Sequence, residues 1–301
     1  MFGKKLYLVL CSLALVLLAG CGSTSGHYVP PSPFPDSPPP VASDALSMPP
    51  EISATPEPTP EPTPEPTPEP TPTPGPAEPY EFGTPLAESA AVEDDSFFDN
   101  TVFLGDSRTE GLQLFSGLKH GDFFWSRGMT VFRADSEDYR PFEIDGKKYS
   151  MTEALALKQY DNVYIMLGVN ELGYPAESYE SGLMALMDKI ISLQPEAVVY
   201  LQLMPPVNDA MCRQNKQMES YINNANLSKF NEAIVRVAAA KKVVLLNTAE
   251  VYTGPDGQLP AELANDGCHF AYSGYKPWAD YIRNHVMDRE RYFALREGTF
   301  S

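Results

Sequence analysis

Val102-Phe103-Leu104-Gly105-Asp106-Ser107-Arg108-Thr109-Glu110-Gly111 is the stretch that decides the reading of this chain. An apolar run with β character, Thr101 to Leu104, ends at Gly105. A polar turn follows, and Glu110-Gly111-Leu112-Gln113-Leu114-Phe115 begins a helix. Strand, tight turn, helix predicts Ser107 at the carboxyl end of a strand, where open α/β sheets form their ligand crevices. It also predicts Ser107 at a helix N-terminus, where unpaired amides can face an anion. A serine so placed is a candidate nucleophile if a histidine reaches it. Asp106 and Ser107 are also good helix caps, so the tripeptide alone leaves both readings open.

Outward from this stretch, strands and helices alternate. Phe123-Phe124-Trp125 is a short strand running into Arg127-Gly128, and Asp145-Gly146 between two short runs is a hairpin signal. Met151 to Gln159 reads as helix, and Asn162 to Met166 as a buried strand followed by Gly168-Val169-Asn170-Glu171. Glu177 to Leu193 repeats apolar residues at helical spacing. Ala197 to Met204 is another strand, stopped by Pro205-Pro206. Leu227 to Ala240 is a helix, Val243 to Leu246 a strand, and Tyr275 to Val286 a closing helix. Near-continuous apolar strands alternating with helices predict a parallel sheet covered on both faces. The globular part carries no internal repeat.

The N-terminal third reads differently. Lys4-Lys5 precedes an apolar run, Leu6 to Leu18, that is short for a membrane span, so the expectation is a secretory signal over residues 1–20. Leu17-Leu18-Ala19-Gly20-Cys21 resembles a bacterial lipobox, which implies cleavage before Cys21 and a lipid on its sulfur. An ordinary signal peptide with a chance cysteine is the alternative. Residues 21–95 read as a disordered stalk. Thr-Pro and Glu-Pro units fill Thr55 to Pro74, and such a sequence favours extended polyproline II. The expected working domain is 96–301, of a size for one core.

Net charge is −18, which argues against nucleic acid as a partner. Residues 27–95 hold 13 Asp and Glu and no Lys or Arg, so the stalk carries most of that charge. Of the four cysteines, only Cys212 and Cys268 belong to the working domain. Outside the cytoplasm two cysteines can pair, and a Cys212–Cys268 disulfide or two free thiols are both open. No Cys-x-x-Cys or paired His/Cys spacing suggests zinc.

A nucleophilic serine needs a base. His27 lies in the stalk, His120 in a loop and His285 in the closing helix. His269 alone has an aspartate three residues earlier, Asp266, in a loop just before that helix. In a turn this spacing can fold the carboxylate onto one ring nitrogen and leave the other for Ser107, the arrangement that orients an imidazole and stabilises its charged form.

Gly105-Asp106-Ser107, Gly128, Gly168-Val169-Asn170-Glu171 and Asp266-x-x-His269, in this order, resemble the SGNH/GDSL hydrolases across nearly the whole globular part. The hairpin and the Tyr160-Asp161-Asn162-Val163-Tyr164 approach look like the exported Gram-positive members. The resemblance implies a three-layer α/β/α sandwich with a five-stranded parallel sheet. It implies Ser107 as nucleophile, His269 as base and then acid, and Asp266 as its orienter. The amides of Ser107 and Gly128 and the side chain of Asn170 would form an oxyanion hole, which stabilises charge that appears only in the transition state. Glu171 departs from the family's usual aspartate, and little harm is expected, because Asn170 is the donor. Arg108 after the serine is either a solvated helix-start side chain or a contact to an acidic or polar substrate group.

The expected protein is therefore an exported, lipid-anchored serine esterase without cofactor, its oligomeric state left open with a monomer favoured. Its expected substrate is an O-acyl ester, O-acetyl above all, on cell-wall or surface carbohydrate. An O-acyltransferase using the same triad and an inactive surface-binding lipoprotein are the rivals. The intact Ser107, Asp266, His269 and Asn170 speak against the last.

Overall fold

The computed structural model describes residues 80–89, 91–92 and 94–299. The expected signal, Cys21 and the stalk through residue 79 lie outside the described residues. β1 (Thr101–Gly105) runs into α1 (Ser107–Phe115). Then come β2 (Asp122–Trp125), the hairpin strands β3 (Phe142–Ile144) and β4 (Lys147–Tyr149), α2 (Met151–Leu155), β5 (Asn162–Met166) and α3 (Ala176–Leu193). The chain continues with β6 (Val198–Gln202), α4 (Asp209–Gln214), α5 (Asn224–Lys241), β7 (Val244–Leu246), α6 (Tyr275–Arg283) and α7 (Arg289–Glu297). The main sheet is parallel throughout, in the order β2-β1-β5-β6-β7. Helices α1 and α6 pack together, as do α3 and α5, giving the α/β/α sandwich expected from the sequence. Because the chain reverses direction across β1, the loops that follow β1, β2 and β5 leave the sheet at a topological switch point, where open α/β sheets place their ligand sites.

The strands read as continuous apolar runs because both faces are covered: every residue of β1, β5, β6 and β7 is buried. In-register pairing lines up Phe123, Phe103, Tyr164 and Tyr200 across four strands. Their rings stack at centroid distances of 4.7, 5.1 and 4.2 Å. In the hairpin, Asp145 and Gly146 both take positive φ, 50° and 74°, as a two-residue turn of this hand requires.

Four elements differ from the sequence reading. Helix α2 stops at Leu155 rather than Gln159, because the buried Gln194 side chain takes the carbonyls of Leu155 and Lys158 and accepts from the Tyr160 amide. The closing helix ends at Arg283. A further helix, α7, starts after Asp288, whose carboxylate caps it by accepting from the Arg291 amide. The short α4 follows Pro205-Pro206, capped by Asn208.

The packed chain also begins before Ser96. The Leu86 amide donates to the Leu245 carbonyl at 2.8 Å, the Leu245 amide donates to the Tyr80 hydroxyl at 3.0 Å, and Pro85 bridges Leu245 in parallel. Residues 80–89 thus cover the outer edge of β7, which would otherwise present unpaired backbone groups. Leu86 is buried, and Asp95 holds Arg283 through two bonds of 2.7 and 2.8 Å. Losing the burial of one leucine costs about 2–3 kcal/mol. A fragment starting at Ser96 should therefore melt roughly 5–10 °C below one starting at residue 79, given ~2–4 °C per kcal/mol at this size. Equal melting temperatures in a thermal scan would show that this segment adds nothing.

Candidate active site

The turn after β1 is shaped by what cannot fit there. A Cβ on Gly105 would lie 1.9 Å from Thr109 Oγ1 and 2.9 Å from the Met166 carbonyl oxygen, so only glycine lets the strand pass this close to α1. Asp106 is the N-cap of α1, its carboxylate accepting from the Arg108 amide at 2.9 Å. Ser107 is the first residue of the helix. Among the described residues, neither its amide nor that of Gly128 has a protein acceptor.

The base loop is folded as a narrow turn. Ala264 bridges Phe270, the Asn265 amide donates to the His269 carbonyl at 2.8 Å, and Gly267 takes φ 97°. A Cβ on Gly267 would lie 2.7 Å from the Cys212 amide nitrogen, so glycine is also what lets α4 approach. Asp266 Oδ1 accepts from the amides of Cys268 and His269 at 2.9 and 2.7 Å, and its Oδ2 accepts from His269 Nδ1 at 2.7 Å. Burial would push this carboxyl up. The His269 contacts and the two amides outweigh it and hold the group at about 2. With Nδ1 engaged, His269 Nε2 is left to accept from Ser107 Oγ at 2.8 Å. The structure thus brings together Ser107, His269 and Asp266, and a hydroxyl so held is arranged to lose its proton to the ring. The other histidines stand apart from it. His120 Nδ1 meets Asp99 at 2.6 Å, and buried His285 donates to the Tyr281 carbonyl at 2.8 Å.

Gly128 has φ 72°, and a Cβ there would meet nothing within 4 Å, so backbone conformation rather than crowding calls for glycine. Asn170 lies in a 3-10 turn after β5, and its Nδ2 donates to the Met129 carbonyl at 3.0 Å and to Asp106 Oδ2 at 3.3 Å. It therefore joins the loops after β1, β2 and β5, with both amide hydrogens engaged.

One sequence expectation is corrected, and of the two open readings of the cysteines the structure has the free thiols. Arg108 is neither solvated nor facing a substrate: it is 1% exposed and bonds the backbone beneath the site. It lies on the inward side of α1, which its place in a polar turn did not reveal. Cys212 and Cys268 form no disulfide. Both are free and buried, and burial pushes their thiols up to about 12 and about 11. Their loops are joined without a covalent bond, by the Asn208 amide donating to the Gly267 carbonyl at 2.7 Å.

Other residues shape the site with little signal in sequence. Glu110 and Arg127 form a bidentate pair at 2.6 and 2.7 Å, tying α1 to the loop that carries Gly128. Glu171, fully buried, accepts from the Val131 amide at 2.6 Å through Oε1, while Oε2 has no partner among the described residues. Burial, with the charge of Asp106 adding to it, raises its carboxyl to about 8. Among the described residues, no group of three or more His, Cys, Asp and Glu is placed to hold a metal.

Residues 103–276, more than half of the chain, match the GDSL-like Lipase/Acylhydrolase family. No curated protein matches the chain. Among solved structures, a Streptococcus pneumonia protein linked by name to platelet activating factor aligns at 22% identity and TM-score 0.49, covering 63% of this chain and 85% of that one. A GDSL-like lipase from Bacteroides thetaiotaomicron aligns at 15% identity and TM-score 0.46, with coverage of 64% and 90%. A lipase/acylhydrolase from Enterococcus faecalis aligns at 18% and 0.44, with coverage of 64% and 96%.

The position of Glu171 makes stability depend on pH. Its carboxyl titrates near 4.5 when unfolded and near 8 when folded, so the folded protein holds a proton that the unfolded chain has released between those values. Stability from this group is full below about 4.5 and falls as pH rises toward about 8, by on the order of 5 kcal/mol at most. Glu171→Gln keeps an acceptor for the Val131 amide and has no proton to lose. Its melting temperature should decline less across this pH window and exceed that of the wild type at the upper end. Parallel curves for the two proteins would remove Glu171 as the source.

Proposed function

The chain belongs to the GDSL-like lipase/acylhydrolase family, serine hydrolases of ester bonds, and from that premise we propose that Ser107 is its nucleophile, His269 its general base and acid, and Asp266 the group that orients His269. The observation that carries this reading is the unbroken hydrogen-bond chain from Ser107 Oγ to His269 Nε2, 2.8 Å, and from His269 Nδ1 to Asp266 Oδ2, 2.7 Å. As Ser107 Oγ attacks the ester carbonyl, its proton passes to Nε2 and the carbonyl oxygen becomes an oxyanion. The imidazolium is stabilised by Asp266 and returns the proton to the leaving alkoxide. Water then attacks the acyl-enzyme by the same route in reverse, giving its proton to His269 and releasing the carboxylic acid.

The oxyanion donors in this reading are the amides of Ser107 and Gly128, neither of which has a protein acceptor among the described residues. Asn170 is the third. Of its two bonds, the 3.3 Å contact to Asp106 is the longer and the one to be exchanged for the oxyanion. Such donors act on charge that the ground state lacks.

We read the substrate as an O-acetyl or other O-acyl ester on wall or surface carbohydrate. What supports this is address: a basic, apolar leader ending in Cys21 and a Pro-rich stalk would hold the domain outside the membrane, among such polymers.

A fluorophosphonate probe should label Ser107. Ser107→Ala should abolish labelling and cut ester hydrolysis by at least about 10³-fold. His269→Gln should lose activity and His285→Gln keep it. Equal losses in the two histidine variants, or label on another residue, would defeat the assignment. Acetylated oligosaccharide as substrate, with and without free sugar acceptor, separates hydrolysis from transfer. Cys21→Ser should move the full-length protein from the membrane fraction to the soluble one in a bacterial host.

A further inference from the structure

We propose that Arg108 is a positioning residue for the base: a buried strut that sets the spacing between the helix carrying Ser107 and the loop carrying His269. The proposal rests on the reading of Ser107 and His269 given above.

Arg108 is out of place by ordinary rules. It lies in the first turn of α1, where a cation opposes the helix dipole. It is also 1% exposed, and burying a charge is expensive. Among the described residues no carboxylate takes its guanidinium directly, whereas Arg127, Arg140, Arg236 and Arg283 each bind one. Its donors go to backbone. Nε donates to the Cys268 carbonyl at 3.2 Å and Nη1 to the Pro205 carbonyl at 3.0 Å. Nη2 lies 3.8 Å from Cys268 Sγ, and the guanidinium carbon sits 5.5 Å from the centroid of the Phe270 ring. Arg108 therefore grips the residues on both sides of His269 while its own backbone adjoins Ser107. A rigid fork reaches two carbonyls from separate segments; a lysine ammonium is a point donor and does not reproduce that geometry.

The reaction cycle gives this strut a task. Among the described residues, the hydrogen bonds that join the loop 265–269 to α1 are those of Arg108 and the Ser107–His269 bond itself. The second is lost once Ser107 Oγ is acylated, because Oγ then has no proton to donate. His269 must stay poised to activate water during that interval. The other ties fasten the loop to itself or to the segment after β6, through Asn265 and Asn208. Arg108 is what keeps the base aligned with α1 while the acyl-enzyme exists.

The test is pre-steady-state hydrolysis of p-nitrophenyl acetate by Arg108→Met and Arg108→Lys, with active sites counted by fluorophosphonate labelling of Ser107. Arg283→Met, which removes a half-buried ion pair far from this loop, controls for a simple loss of stability. Both Arg108 variants should show kcat per labelled site lowered by about 10²-fold, the scale of a misplaced base. KM should not rise. A burst of p-nitrophenol should appear, because deacylation slows more than acylation. Arg283→Met should melt earlier yet keep wild-type kcat per labelled site. Wild-type kcat per site without a burst in Arg108→Lys overturns the proposal, even if Arg108→Met fails to fold. Absence of label on wild-type Ser107 would instead defeat the triad reading on which it rests.

Discussion

Ser107 and His269 are 162 residues apart in the chain and 2.8 Å apart in space, and most of the fold serves to keep that one distance. A hydrogen bond between a half-buried hydroxyl and an imidazole contributes only about 1 kcal/mol net. It cannot assemble the loops that carry it. The parallel sheet does so, because parallel strands deliver all their carboxyl ends to one edge, and β1 lies where the chain reverses across the sheet. The stacked row Phe123, Phe103, Tyr164 and Tyr200 fixes the register of four strands, and with it the height at which each loop leaves the sheet.

Above that edge the loops are held by polar contacts as well as by buried apolar residues such as Met129, Val131, Val169 and Phe270. Asn170 joins Met129 and Asp106, Glu171 holds Val131, Glu110 holds Arg127, and Arg108 holds Cys268 and Pro205. Each contact crosses from one loop or helix to another. Buried polar groups such as Arg108 and Glu171 are expensive when left without a partner, by about 1–3 kcal/mol for each unsatisfied group. A loop that drifted would strand several such groups at once. Directional bonds also suit a site in which a few tenths of an ångström matter, since they fix angle as well as distance.

This division explains what was legible in the sequence. Local information was plain: the strand-turn-helix at Gly105-Asp106-Ser107, the Asp145-Gly146 hairpin, the Asp266-x-x-His269 turn and the apolar runs of the strands. Each depends on residues within a few positions of one another. What was not legible depends on partners far along the chain. Helix α2 ends where Gln194, 39 residues on, takes the Leu155 carbonyl. The domain begins near Tyr80 because Leu245, 165 residues later, donates to its hydroxyl. Arg108 points inward because Pro205 and Cys268 await it, at separations of 97 and 160. Cys212 and Cys268 do lie on neighbouring loops, as the sheet topology suggested, but adjacency does not make a disulfide. Helix α7 was missed for another reason: Arg289-Glu290-Arg291 opens it with charge, and only Tyr292 among its residues is buried, which leaves little apolar period to read.

The charges around Ser107 settle into an order of their own. In the proposed reading, an oxyanion forming at the start of α1 is favoured by the helix dipole, but Asp106, buried at the cap one residue before Ser107, opposes it. Burial pushes the Asp106 carboxyl up, toward the neutral form, while its bond from the Arg108 amide and the Arg108 charge draw it back. The Arg108 guanidinium, two residues on, carries the opposite charge and offsets part of that opposition. The carboxyl oxygens are both engaged, one by the Arg108 amide and one by the Asn170 side chain. In that reading the guanidinium proposed to brace the His269 loop also weakens the opposition of a structural carboxylate to the charge on the oxyanion.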